Sequence, residues 1–174
     1  MVTRNSANTY IVPTTANEVT APAQPAFSAY LGTSDLNVTG NNTVFYLGDT
    51  DVGTALTSIF DQNGDFTLGA SGGAYFTAPV TGKYYFDVKV QLGGLVAACN
   101  LLILDLVATS RTQRLIGSNP YTFGYNGELT VCGSCFVNMS ATDTVKVRCA
   151  AYNSGGDVVD VLLNNTIFSG YLIC

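Results

Sequence analysis

The chain has 174 residues, of which 47% are hydrophobic and 11% charged, and its net charge is −5. This length and apolar content are enough to bury one sizeable core, about 70% of the surface that the unfolded chain exposes. Seven Lys and Arg residues, scattered along the sequence, argue against nucleic acid or an acidic membrane as a partner. The low charge favours a surface of small polar and apolar groups that is covered in an assembly.

Residues 1–24 are predicted to form an extended N-terminal arm, because they are rich in Thr, Asn, Ala and Pro and show little periodicity. Tyr10, Ile11 and Val12 are an apolar triplet within this arm. Two interpretations stand: a disordered leader, or an arm that attaches the protein to a larger particle through the triplet. Because the first residues lack the apolar centre of a secretory signal, we expect synthesis in the cytoplasm.

Residues 25–174 are predicted to form one all-β domain, since short apolar runs alternate with turn clusters rich in Gly, Asn and Asp. Residues 101–107 are interpreted as a buried strand that turns back into residues 113–116. Residues 129–137 and 145–152 both alternate well and are predicted to form a hairpin.

The most specific pattern lies between Phe76 and Phe86. Pro79 cannot donate a hydrogen bond to a β-ladder, so the first strand ends before it, and a second strand begins after Gly82. In that second strand Tyr84 and Phe86 alternate with charged and polar residues. The pattern predicts a strand, a corner and a strand that bury Phe76, Tyr84 and Phe86 in a β-sandwich.

The spacing Phe76-x5-Gly82-x-Tyr84-x-Phe86 resembles the core signature of the globular C1q domain. That family is a ten-stranded jelly roll related to the tumour necrosis factor (TNF) fold. Residues 25–31, 58–66 and 167–173 are similar to its first strand, the segment before the signature and its last strand. Val88 departs from the pattern, because an aromatic residue is usual there. No Gly-X-Y collagen tract precedes the domain, which disfavours a complement-like secreted molecule.

The resemblance implies a homotrimer, with the first, signature and last strands at the threefold axis. Tyr30, Tyr75 and Tyr171 are the predicted aromatic anchors of that interface. By fold-level analogy, we expect a non-enzymatic virion surface protein, such as a tail-fibre tip, head fibre or capsid decoration, that binds a host surface. The alternatives are a secreted C1q- or TNF-like ligand and, third, a carbohydrate depolymerase.

Four acids in Gly-rich loops are the remaining candidates for chemistry. The absence of histidine excludes Ser-His-Asp and Cys-His catalysis. Asp49 with Asp51, or Asp157 with Asp160, could serve glycoside hydrolysis or bind calcium, but solvated turn acids are the ordinary finding. No catalytic residue and no cofactor other than this weak calcium site is predicted.

The sequence contains five cysteines, at positions 99, 132, 135, 149 and 174. They lie in apolar strand patterns, which is typical of reduced, packed thiols. Cys132 and Cys135 form a lone CxxC pair, and a zinc site would have to recruit two further cysteines. We therefore interpret the pair as a bulge or turn with two packed thiols.

Overall fold

The computed structural model describes residues 12–13, 19–20, 23–123 and 127–173. No helix in this part of the chain is long and apolar enough to cross a membrane. One 3-10 helix covers Pro120–Phe123. In chain order the strands are β1 (Val12–Pro13), β2 (Val19–Thr20), β3 (Ala26–Tyr30), β4 (Asp35–Thr39), β5 (Phe45–Tyr46), β6 (Thr57–Asp61), β7 (Phe66–Thr67), β8 (Tyr75–Thr77), β9 (Gly82–Gly93), β10 (Leu101–Ala108), β11 (Thr112–Ser118), β12 (Leu129–Met139), β13 (Thr144–Tyr152) and β14 (Val159–Leu172).

Two six-stranded antiparallel sheets make up the domain. One sheet has the order β12-β9-β14-β3-β6, with β4 also paired to β14. We call it the signature sheet, because β9 carries Gly82, Tyr84 and Phe86 of the C1q-like pattern. The opposite sheet has the order β11-β10-β13-β8-β7, with β5 also paired to β13. Without the two-residue strands β5 and β7, ten strands remain. The predicted all-β sandwich is therefore confirmed.

An aromatic cluster joins the two sheets at the centre of the sandwich. The ring of Phe27, on the signature sheet, stacks on Phe66 at 4.3 Å and on Phe76 at 5.1 Å, both on the opposite sheet. Phe86 lies 5.7 Å from Phe76, and Tyr84 lies 5.5 Å from it. All of these rings are buried, so each adds the free energy of apolar burial and of aromatic pairing.

The predicted corner carries the chain from one sheet to the other. Phe76 lies on β8 of the opposite sheet, and β9 begins at Gly82 in the signature sheet. Tyr84 is fully buried, and its hydroxyl donates a hydrogen bond of 2.7 Å to the Val80 carbonyl in the corner. That bond satisfies a polar group that would otherwise be costly to bury.

The two later strand pairs have different outcomes. The hairpin of β10 and β11 is confirmed. The predicted hairpin of residues 129–137 with 145–152 is wrong, because β12 pairs with β9 in the signature sheet whereas β13 pairs with β10, β8 and β5 in the opposite sheet. The turn at residues 140–143 crosses between the sheets, which alternation within each strand cannot reveal.

Of the N-terminal arm, the structure describes two short strands and residues 23–24, where the Gln24 side chain donates a hydrogen bond to the Leu172 carbonyl. Val12 is paired with Thr20, and Pro13 with Val19, in a separate two-stranded sheet. Tyr10 and Ile11 lie outside the described residues. The attachment role of the triplet and the domain boundary near residue 24 therefore stay predictions.

We expect Phe86→Ala to lower the free energy of unfolding by about 3 to 5 kcal/mol, because it removes a fully buried ring from the cluster that joins the sheets. Denaturant unfolding at one fixed protein concentration measures the loss. Tyr121→Ala, which truncates an exposed ring of the 3-10 helix outside both sheets, is the matched control and should cost under about 1 kcal/mol. Equal losses in the two variants would contradict the assignment of Phe86 to the core.

Candidate functional site

A row of aromatic side chains crosses the outer face of the signature sheet. Tyr85 on β9 is opposite Phe136 on β12 and opposite Tyr171 on β14. Its ring lies 5.3 Å from that of Phe136 and 5.5 Å from that of Tyr171. Phe136 is 68% exposed and Tyr171 is 47% exposed. We call Tyr85, Phe136 and Tyr171 the aromatic row.

Further exposed apolar side chains belong to the same sheet or follow it. They are Tyr30 on β3, Ile59 and Phe60 on β6, and Ile173 after β14. Scattered single residues of this kind need no explanation, but a contiguous apolar face does. The outer face of the signature sheet therefore has the composition of an interaction surface.

The exposed residues Lys83 and Asp87 flank Tyr85 on the outer face of β9, and a polar network lies farther along the same strand. Asn165 accepts a hydrogen bond from Lys89 at 3.4 Å and donates one to Gln91 at 3.0 Å. Gln91 donates in turn to Glu128 at 3.3 Å. An apolar centre with a polar border is the usual anatomy of a protein–protein interface.

The three predicted interface tyrosines are divided between the sheets. Tyr30 and Tyr171 lie on neighbouring strands of the signature sheet, whereas Tyr75 lies on β8 of the opposite sheet. The structure thus does not bring all three together within one chain. Tyr85 and Phe136 were missed, although their alternation with the buried Tyr84, Phe86 and Val137 indicated an outward direction.

The opposite sheet carries a charged triad across three strands. Asp105 on β10 pairs with Arg114 on β11 and with Arg148 on β13. Arg114 Nε donates to Oδ1 of Asp105, and Arg148 Nε donates to Oδ2 at 3.1 Å. Asp105 is fully buried beneath the two guanidinium groups. These hydrogen bonds raise the pKa of Arg148 further above its usual value.

A third cation stands beside this triad. Lys146, also on β13, lies over the ring of Tyr46 with its Nζ 4.1 Å from the ring centroid. The same Nζ donates a hydrogen bond of 2.8 Å to the carbonyl of Gly72. Three of the seven basic residues, which look scattered in the sequence, therefore lie together on this sheet.

The acids nominated for calcium or hydrolysis accept hydrogen bonds within their loops. Asp49 accepts from the backbone of Asp51 and of Gly72, and Asp51 accepts from Ser71. Among the described residues, no three His, Cys, Asp or Glu side chains are grouped as a metal site would require. Calcium binding stays a prediction, which the loop geometry neither requires nor tests.

The second pair of nominated acids joins β4 and its following loop to the last strand. Asp157 accepts hydrogen bonds from the backbone of Asn41 at 2.9 Å and from the Thr43 hydroxyl at 2.6 Å. Asp160 accepts one from the backbone of Asn37 at 2.8 Å. These are the structural roles expected of turn acids.

The CxxC pair lies within β12, an edge strand that pairs with β9 without a register shift. The predicted bulge or turn is therefore wrong, and Cys132 is exposed, not packed. Cys132 is opposite Lys89 on the outer face, whereas Cys135 is opposite the buried Phe86. The two thiols therefore point to opposite faces and cannot share a zinc ion. Burial raises the pKa of Cys135 and raises that of the core residue Cys149 to about 12, so both favour the neutral thiol. Cys174 lies outside the described residues.

A second buried carboxyl, besides that of Asp105, was missed by sequence reasoning. Asp35 on β4 is almost fully buried; its Oδ1 accepts a 2.8 Å hydrogen bond from Thr54, and its Oδ2 has no partner among the described residues. Desolvation raises the pKa of this carboxyl above its usual 3.8. The sequence signal, an acid within the strand pattern of residues 35–39, is too common to single it out.

No family model and no curated protein matches this sequence. Solved structures do match. The globular domain of zebrafish complement 1qA is 21% identical, with a TM-score of 0.55 over 86% of this chain and 98% of that one. Murine APRIL at pH 5.0 is 9% identical, with a TM-score of 0.54 over 86% and 99%. Murine APRIL at pH 8.5 gives a TM-score of 0.52. These likenesses confirm the C1q/TNF-like jelly roll.

We expect Asp35 to make the protein less stable as pH rises. Because its folded pKa is raised, the folded state holds the proton more tightly, and stability is lost as pH rises through the folded pKa. Unfolding measured from about pH 4 to pH 8 should show this loss, and Asp35→Asn should reduce it to the part that comes from Asp65, whose pKa burial also raises. Asp51→Asn, on an exposed acid in a loop outside the signature sheet, is the control. A wild-type and an Asp35→Asn curve of the same shape would contradict the assignment.

Proposed function

We propose that this protein is a non-enzymatic structural and recognition protein that assembles as a homotrimer through the outer face of the signature sheet. The aromatic row carries the proposal, because Phe136 and Tyr171 stay exposed in the single chain. Aromatic side chains dominate the buried centres of protein interfaces. The C1q and TNF families that the sequence resembles also assemble as threefold bells, which supports the number of subunits.

The two edges of the signature sheet fit a closed ring of copies. A threefold contact joins one patch of a subunit to a different patch of the next subunit. Phe136 lies on edge strand β12, and Ile59 and Phe60 lie on edge strand β6. Each copy therefore offers two distinct apolar patches, as such a ring requires.

The proposed setting is the surface of a virus particle, assembled in the host cytoplasm and binding a host surface. The low content of charged residues, 11%, suits a protein embedded in a larger assembly. The cysteines at 99, 132, 135 and 149 are free thiols, which suits assembly in a reducing compartment. In this proposal residues 1–24 attach the trimer to the particle.

The second candidate is a secreted ligand, because the similar structures are a complement domain and APRIL. A depolymerase is less favoured, since its nominated acids hold their own loops through hydrogen bonds. Mass spectrometry of purified particles and of conditioned medium distinguishes the first two settings.

We expect the wild-type protein to sediment as three 18.3 kDa chains at micromolar concentration, and Phe136→Glu with Tyr171→Glu to give folded monomers. The reason is that two buried carboxylates without partners would oppose association. Tyr121→Glu changes an aromatic residue that is 62% exposed elsewhere, and it should leave the trimer intact. A wild-type monomer, or a trimer that survives the double substitution, would refute the proposed interface.

We also expect deletion of residues 1–24 to leave folding and trimerisation intact and to abolish incorporation into particles. The described strands of the two sheets begin at Ala26, so the sandwich retains its core without the arm. Sedimentation reports the trimer, and electrophoresis of purified particles reports incorporation. Particles that incorporate the truncated chain normally would show that attachment lies on the sandwich itself.

A further inference from the structure

Three cations lie on the outer face of the opposite sheet. We call Arg114, Arg148 and Lys146 the cation cluster; they are three of the seven Lys and Arg residues in a chain of net charge −5. Arg114 and Arg148 lie two strands apart, which corresponds to about 10 Å across a sheet. Three cations therefore lie together on the sheet that does not carry the aromatic row, whereas Lys83 and Lys89 lie on the signature sheet.

Asp105 holds both guanidinium groups in place, but its single negative charge balances only one of their two positive charges. Its two oxygens accept hydrogen bonds from Arg114 and Arg148. The side chain of Arg114 nevertheless remains 52% exposed, and that of Arg148 remains 26% exposed. The side chains of Asp105, Arg114, Arg148 and Lys146 together carry a charge of +2. The nearest further acid in the described hydrogen bonds is Asp49, which accepts from the backbone of Gly72, the residue whose carbonyl binds Lys146. Because the arginines are already ordered, an anion that binds them loses little side-chain entropy.

Glycines leave space beside the cations. A Cβ on Gly117 would lie 3.5 Å from Nη1 of Arg114, and a Cβ on Gly72 would lie 3.7 Å from Nζ of Lys146. Gly117 is exposed and has no side chain to cover the guanidinium. Tyr46, which packs against Lys146, adds an aromatic side chain to the same face. The arginines therefore present donor groups toward solvent.

We infer that the cation cluster binds an acidic sugar chain through its carboxylates. Guanidinium groups match the planar geometry of a carboxylate. Peptides usually bind a free sheet edge or a groove. Arg114 lies on edge strand β11, whereas Arg148 and Lys146 lie on the inner strand β13, so the cluster as a whole lies on the face of the sheet. The inference rests on the proposed function in one respect: a trimer that buries the aromatic row keeps this face accessible.

The probe is a hexamer of galacturonic acid, titrated into the full-length protein by calorimetry at low salt. We expect saturable binding with one site per chain, weakened as salt is raised. Arg114→Ala should weaken binding about tenfold, the effect of losing a charged hydrogen bond. Lys83→Ala removes the same charge from the signature sheet and should leave binding unchanged.

A second variant tests the space beside the arginine without changing charge. Gly117→Val should also weaken binding, because its side chain would stand beside the Arg114 guanidinium at ordinary contact distance. This variant keeps the triad, so it remains informative if Arg114→Ala does not fold. The neutral hexamer of galacturonate methyl ester should not bind.

Several results would overturn the inference. These are the absence of binding by the folded wild type, binding by folded Arg114→Ala or Gly117→Val that is as tight as that of the wild type, or tighter binding of a hexamer of glutamate, which would indicate a peptide ligand. Sedimentation of the same samples separates the two proposals. A trimer that binds no acidic sugar refutes only this inference, and a monomer that binds one refutes only the trimer.

Discussion

The aromatic cluster between the sheets is the contact on which the rest of the structure depends. Phe27 and Phe86 from one sheet meet Phe66 and Phe76 from the other, and no backbone hydrogen bond joins these strands across the core. Gly170 makes this packing possible, because a Cβ there would overlap the ring of Phe86. Burial of these rings therefore determines how the two sheets are aligned.

The alignment of the core also determines what each outer face carries. Successive residues of a strand point to opposite faces, so burying Tyr84 and Phe86 turns Tyr85 outward. In the opposite sheet, burying Leu104 and Leu106 turns Asp105 toward the two arginines. Both surfaces are consequences of the same register, and a slip of one residue would exchange core and surface in either sheet.

Local patterns predicted the sandwich, the corner at residues 76–86 and the strands themselves, because these depend on neighbours in sequence. Sheet membership could not be predicted in this way, since β12 and β13 alternate equally well but belong to different sheets. The triad of Asp105, Arg114 and Arg148 was not predicted for the same reason. Arg148 is distant in sequence from Asp105, and only strand pairing brings the two residues together. The burial of Asp35 was not predicted, because it depends on packing against the loop at Thr54.

The different chemistry of the two faces suits a division of labour in the proposed trimer. An aromatic face gains free energy by leaving water, whereas ordered cations are most useful where a ligand can reach them. Burying the signature sheet around a threefold axis would turn three copies of the cation cluster outward. Because linked sites raise the effective concentration of one another, even a weak contact with a single acidic sugar chain would give firm attachment to a surface dense in such chains.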